Sequence, residues 1–169
     1  MRDGRAHFEI GAFRMSDGRL SGRVVAVFGG TGALGSAVVS RLISDGADVA
    51  VADVEVPGIS DRLDGASYRA VNALDEASVG GFFSRIGEPA WGVVNVIGGY
   101  TPGQAVVDLD LDVLRHQLDL NLVTAATITK AAIDVMKGAR DPADVAAPRG
   151  GRILHTSSRV ARGDGKDSF

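Results

Sequence analysis

The stretch VVAVFGGTGALGSAVVSRL, residues 24–42, constrains the fold more than any other. Val24-Val25-Ala26-Val27-Phe28 is a continuous apolar run, the pattern of a strand buried on both faces. Glycines follow at 29, 30, 32 and 35. Leu34, Val38, Leu42 and Ile43 then recur at helical spacing, and Gly46 suits the end of that helix. A strand covered on both faces needs helices on both sides, so this opening predicts an α/β chain with a parallel sheet.

The rest of the chain continues the alternation. Val49 to Ala52 is a second apolar run, ending at Asp53, and Tyr68 to Val71 reads as a third strand. Val79, Phe82, Phe83 and Ile86 mark one helical face, although Gly80-Gly81 lowers its propensity. Val93 to Ile97 reads as a fourth strand, followed by the loop GGYTPG. A long helix is predicted from Asp112 to Lys137, with Val113, Leu114, Leu118, Leu122, Ala126, Ile133 and Met136 inward. The segment KGARDPADVAAPRGG is a loop, and Arg152 to Thr156 is a fifth strand. Right-handed crossovers then predict a Rossmann-type doubly wound parallel sheet of about five strands, in the order 3-2-1-4-5. One domain is expected over 20–169, preceded by a flexible extension over 1–19, with Met15 an alternative start to Met1. Ligands in such sheets bind at the carboxyl ends of the strands, where the order reverses. The loops delivered there are Gly29 to Gly35, Asp53, Gly98-Gly99 and Ser157-Ser158.

Composition narrows the function classes. A formal charge of -3 gives no basic surface for nucleic acid or an anionic membrane. There is no cysteine, which removes disulfides and thiolate metal sites and fits a cytoplasmic setting. His7, His116 and His155 lack metal-ligand spacing, so no metal is expected. No apolar run reaches the roughly 18 residues of a membrane span, and the first residues lack the apolar core of a signal peptide.

The glycine loop carries the chemistry. One glycine permits the sharp turn, another lets the backbone approach a pyrophosphate, and another lets helix and strand pack closely. The helix N-terminus adds free N–H groups and a partial positive charge. Gly29, Gly32 and Gly35 are spaced G-x-x-G-x-x-G between a strand and a helix, the context the motif requires. Asp53, at the end of the next strand, is placed to accept both hydroxyls of an adenosine ribose. A plain glycine turn followed by a solvated loop acid is the blander reading. A Walker loop fails, because Ser36 rather than lysine follows Gly35. An S-adenosylmethionine-dependent methyltransferase stays open as a rival; such enzymes usually carry an acid before the glycines, where this chain has Val27-Phe28.

From Leu20 to Gly163 the motifs together resemble the short-chain dehydrogenase/reductase family. FGGTGALG is similar to its glycine loop, and most similar to that of dihydropteridine reductases, as is GGY at 98–100. It departs from the commoner T-G-x-x-x-G-x-G at Phe28 and Ala33. NALD at 72–75 resembles the segment near the adenine, and NVIG at 95–98 resembles N-N-A-G, with Asn95 and Gly98 agreeing and Val96 and Ile97 departing. LNLV at 120–123 carries the family's mid-helix asparagine, and GRILHTSS at 151–158 the strand that delivers its serine.

The resemblance implies a dinucleotide along Gly29, Thr31, Gly32, Ala33, Leu34, Gly35, Asp53, Val54, Asn72, Ala73, Val96, Ile97 and Gly98. It implies Ser158 as the catalytic serine, holding a carbonyl or alcohol oxygen, and Asn121 as a water-holding residue of a proton relay. Ser158 as a simple strand-end loop residue, like its neighbour Ser157, and Asn121 as a satisfied buried amide are the competing readings; His155 is expected to be structural. Asp53 implies NAD in preference to NADP, since a 2′-phosphate there would meet a carboxylate. Two unit charges about 4 Å apart repel by at most about 4 kcal/mol at an effective dielectric of 20. The implied reaction is hydride transfer between the nicotinamide and a small carbonyl or alcohol substrate. The long helix 112–137 is a candidate surface for a homo-oligomer.

The family's centre also uses Y-x-x-x-K after the serine, a tyrosine acid/base whose pKa the lysine lowers. Here the only tyrosines are Tyr68 and Tyr100. The expectation is therefore the N-terminal, dinucleotide-binding part of a reductase, inactive as written. A non-catalytic dinucleotide-binding module is the alternative.

Overall fold

The structure is a computed structural model that describes residues 18–86, 89–101, 105–137 and 151–157. The five expected strands all form: β1 (Val24–Phe28), β2 (Asp48–Asp53), β3 (Ala66–Ala70), β4 (Gly92–Asn95) and β5 (Arg152–His155). They make one sheet in the order β3-β2-β1-β4-β5. Every pairing is parallel, with Val27 opposite Val51 on one side and Val94 on the other. β3 lies beside β2 and β5 beside β4, in register from Gly92 opposite Arg152 to Asn95 opposite His155. The chain runs outward from β1 through β2 to β3, then returns to the other side of β1 for β4. Order therefore reverses between β1 and β4, and a crevice opens at their carboxyl ends.

Alternation along each strand divides the core into two layers. Val25 and Val27 of β1, with Val49 and Val51 of β2, pack against Val39 of helix α1 (Ala33–Ser44). Val24, Ala26 and Phe28, with Ala50 and Ala52, face the opposite layer. That layer holds Val79, Phe82, Phe83 and Ile86 of helix α2 (Glu76–Ile86), all four buried as their spacing predicts. Phe28 meets Phe82 edge-on at 5.2 Å between ring centroids, and Phe82 meets Phe83 at 5.5 Å. Gly80 and Gly81 do not prevent the helix, since the core anchors it on either side of them. Residues 18–22 turn against the end of α1, with the Leu20 N–H donating to the Asp45 carbonyl at 2.8 Å. The extension over residues 1–17 lies outside the described residues.

The long helix is real but its facing differs from expectation. It consists of α3 (Leu111–Leu118), a π-helical turn over Asp119–Val123, and α4 (Thr124–Met136). A π-turn inserts one residue and rotates the following helix by about 100°. The face towards the sheet is Thr124, Thr127, Ile128, Ala132 and Met136. Of the expected inward set only Met136 is buried. Val113 is half-buried and Ala126 exposed, while Leu114, Leu118, Leu122 and Ile133 retain 39–61% of their accessible surface. The segment offers two apolar stripes, and periodicity ranks leucine and isoleucine above threonine. The buried stripe accommodates Thr124 because its hydroxyl donates to the Leu120 carbonyl at 2.7 Å. The third, fourth and fifth strands also differ slightly from their expected limits. β3 spans Ala66–Ala70, and β4 and β5 stop at Asn95 and His155.

Candidate functional site

Gly29 leaves β1 with φ at +80°, the left-handed region that favours glycine, and its N–H donates to the Ala52 carbonyl at 2.8 Å. A Cβ on Gly29 would stand 3.0 Å from the Ile97 nitrogen, so the 96–98 segment backs directly onto the turn. A Cβ on Gly35 would overlap the Gly29 carbonyl oxygen, and this glycine lets α1 begin against the loop. Gly32 caps α1 with extended backbone, and its added Cβ would touch nothing nearer than 3.6 Å. Gly32, Ala33 and Leu34 are exposed, with Leu34 at 57%. The first turn of α1 contains no acidic residue. Its N–H groups and positive end thus face the crevice, the combination that holds phosphate.

Asp53 closes the site on the β2 side. Its Oδ2 accepts from the Thr31 N–H at 3.1 Å and from the Thr31 hydroxyl at 2.6 Å. Its Oδ1 accepts from the Val54 N–H at 2.8 Å. The carboxylate is thereby fixed beside the glycine loop, and exposed Val54 stands next to it. Asn72 lies just beyond β3, where its N–H donates to the Ser78 hydroxyl and its Oδ1 accepts from Leu74 N–H. Ala73 is buried in the core at 4% exposure.

Beyond β4, the Ile97 N–H donates to Asn95 Oδ1 at 3.0 Å. Gly98 and Gly99 then pass close to the π-turn. Asn121, in that turn, accepts from the Gly99 N–H and donates to the Gly99 carbonyl, each at 3.0 Å. Its amide also donates to the Gln117 carbonyl at 2.9 Å. Gln117 reaches the same loop, donating to the Thr101 hydroxyl at 2.9 Å. Sequence reasoning missed Gln117 and Thr101. The available signal was spacing: Gln117 precedes Asn121 by four residues and shares its helical face.

Ser157 follows β5 at this edge and is exposed, while Ser158 lies outside the described residues. His155 meets Asn95 through Nδ1 and Thr129 through Nε2. The structure therefore brings the glycine loop, Asp53, residues 72–73, residues 96–99 and Asn121 to one edge of the sheet. Among the described residues, the two carboxyls with displaced titration lie elsewhere. Asp48, raised by burial, starts β2 at the opposite edge; Asp134, lowered by its hydrogen bond to Lys137, is on the outer surface of α4.

These residues suit a dinucleotide. The Gly29 turn, the open space at Gly32 and the first turn of α1 leave room for a pyrophosphate, and the Asp53 carboxylate keeps lone pairs that could accept hydroxyls. The fold and this edge define a nucleotide-binding Rossmann domain. A family model for short chain dehydrogenases matches residues 23–166, and the chain belongs to that family, whose members bind NAD(P)-type dinucleotides. It is 28% identical over 149 residues to L-fucose dehydrogenase of Mus musculus, covering 84% of this chain and 50% of the relative. A short-chain dehydrogenase/reductase from Burkholderia xenovorans superposes with a TM-score of 0.63 at 29% identity, over 71% of this chain and 53% of that one. One from Serratia marcescens gives 0.61 at 26% identity, over 79% and 56%. The chain thus spans about half the length of the relatives it matches. No helix among the described residues is long and apolar enough to cross a membrane.

Proposed function

We propose that this chain is the dinucleotide-binding portion of a short-chain oxidoreductase that uses NAD(H) in preference to NADP(H). The observation that carries the reading is the Asp53 carboxylate at the end of β2, held beside the glycine loop by Thr31. Anchored there, it accepts ribose hydroxyls and repels a 2′-phosphate. The bound nicotinamide would supply the hydride. Gly29, Thr31 and the first turn of α1 bind the pyrophosphate; Val96, Ile97 and Gly98 support the far half of the ligand.

Calorimetric titration with NADH and NADPH tests the preference. NADH should bind the wild-type chain more tightly, and Asp53→Ser should narrow the gap. A preference for NADPH, or an unchanged preference in Asp53→Ser, overturns the assignment.

The reaction served is hydride transfer to a carbonyl or from an alcohol, with Ser158 holding the substrate oxygen and Asn121 a relay water. Residues 1–169 contain no Y-x-x-x-K after Ser158. General acid/base catalysis contributes about 10²–10⁴-fold, so this polypeptide alone should turn over little. The second reading is a dinucleotide-binding module without turnover. An NADH-oxidation assay separates the two: sugar-derived carbonyls, motivated by the L-fucose dehydrogenase relatives, are tested beside simple ketones and quinonoid pterins. Turnover that appears when a Y-x-x-x-K segment is supplied, and is lost in Ser158→Ala, supports the enzyme. Turnover by residues 1–169 alone contradicts the need for that segment. A homo-oligomer assembled through the exposed face of the long helix is part of the proposal.

A further inference from the structure

The third histidine sits opposite Asn95 in the β4–β5 ladder. Its ring is exposed, yet both nitrogens meet protein groups. Nδ1 lies 3.2 Å from Asn95 Nδ2, and Nε2 lies 2.9 Å from the Thr129 hydroxyl. The direction of each bond follows from its neighbours. The Thr129 hydroxyl spends its one proton on the Ala125 carbonyl, at 2.7 Å. It must accept from Nε2, so the imidazole proton is on Nε2. Nδ1 is then a bare acceptor, and the Asn95 amide can only donate to it. That leaves Asn95 Oδ1 facing the Ile97 N–H, at 3.0 Å. The reverse orientation of the amide would set a donor against a donor at Ile97. Asn95 is 3% exposed, so no bulk water offsets a wrong orientation. Its backbone carbonyl is engaged too, accepting from the Thr156 N–H at 3.1 Å.

We propose that His155 is a positioning residue of the crevice: held as the Nε2–H tautomer between Thr129 and Asn95, it fixes the Asn95 amide that holds Ile97, and so sets the 96–98 backbone against the Gly29 turn. The relay runs from α4 through β5 and β4 to the loop that lines the ligand. An exposed imidazole would be satisfied by water in any orientation, so burial does not explain its two protein partners. The consequence for affinity rests on the dinucleotide reading above; the tautomer and the hold on Ile97 do not.

The test uses the isotope-labelled 169-residue chain, at a pH above the ordinary range of imidazole titration. Long-range proton–nitrogen NMR should show His155 as the Nε2–H tautomer in the wild type. Thr129→Val should let the Nδ1–H form appear. His155→Asn keeps an acceptor facing Asn95 and should preserve both the slow exchange of the Ile97 amide and NADH affinity. His155→Leu removes that acceptor and should speed Ile97 exchange and weaken NADH binding by about tenfold, the scale of one lost hydrogen bond. A dominant Nδ1–H tautomer in the wild type overturns the proposal. So does a folded His155→Leu chain that binds NADH as the wild type does. If His155→Leu does not fold, the wild-type tautomer and its response to Thr129→Val decide. If the wild type binds no NADH, the proposed function fails, and the tautomer together with Ile97 exchange still decides this inference.

Discussion

The glycines of one loop have unequal structural duties. Gly35 abuts the Gly29 carbonyl, with no room for a methyl group, whereas Gly32 opens towards solvent with ordinary negative φ. Gly35→Ala should therefore destabilise the chain by about 1–3 kcal/mol, the usual cost of overpacking, and weaken NADH binding with it. Gly32→Ala should leave the denaturation midpoint nearly unchanged, and any loss of NADH affinity should come from crowding the ligand. Equal losses of stability in paired urea titrations would refute this division. The spacing of the motif was readable in the sequence, but which glycine is sterically obligatory was not. That distinction depends on where the Gly29 carbonyl points, and no residue pattern encodes it. Asp53 shows the same limit: its place after β2 was legible, whereas its two bonds from Thr31 required the loop's folded path.

At the scale of elements, β1, β2 and β4 were legible as apolar runs, and α2 because its four phenylalanine and aliphatic positions lie on one face, whereas half-buried β3 carries Ser67 and Arg69 and so gave a weaker pattern. The long helix misled. Leucines at 114, 118 and 122 outrank threonines at 124 and 127 by hydropathy, yet the π-turn and the Thr124 backbone bond put the threonines inside. The exposed leucines form a stripe that water solvates poorly. Leu118 and Leu122 stand at 47% and 61% exposure, and Ile133 follows further along at 49%. If the proposed oligomer uses this stripe, Leu118→Glu should shift sedimentation towards the monomer without lowering the denaturation midpoint of the monomer. A second apolar contact is available at β5, which pairs with β4 alone among the described strands and exposes Leu154 by 53%. Leu154→Lys should weaken association through that edge instead. Self-association unchanged in both variants would reject both surfaces.

Across the whole molecule the sheet separates two tasks. Its carboxyl edge collects the loops proposed to hold the ligand, and its opposite edge carries a cluster of arginines around Trp91. There Arg23 stacks on Trp91 at 4.5 Å and Arg152 lies 5.8 Å from the same ring, linking the starts of β1, β4 and β5. Asp48 begins β2 at that edge, and partial burial raises its pKa above the ordinary carboxylate value. A raised carboxyl in the folded chain binds its proton more tightly than in the unfolded chain. Its contribution to stability is thus fully present below the unfolded pKa and is lost as pH rises through the folded one. At neutral pH the ionised Asp48 costs stability that an amide would not. Asp48→Asn should raise the free energy of unfolding near pH 7 by no more than about 1 kcal/mol, because solvent reaches much of the group. The difference from wild type should shrink on acidification and vanish well below the ordinary carboxylate pKa, where Asp48 is neutral in both the folded and the unfolded chain. Denaturant unfolding across that range measures it directly. A stabilisation that persists undiminished in acid would show that hydrogen bonding or packing by the new amide, rather than relief of a desolvated charge, is responsible. Because Asp48 is remote from the Gly29 turn, the same substitution should leave NADH affinity unchanged.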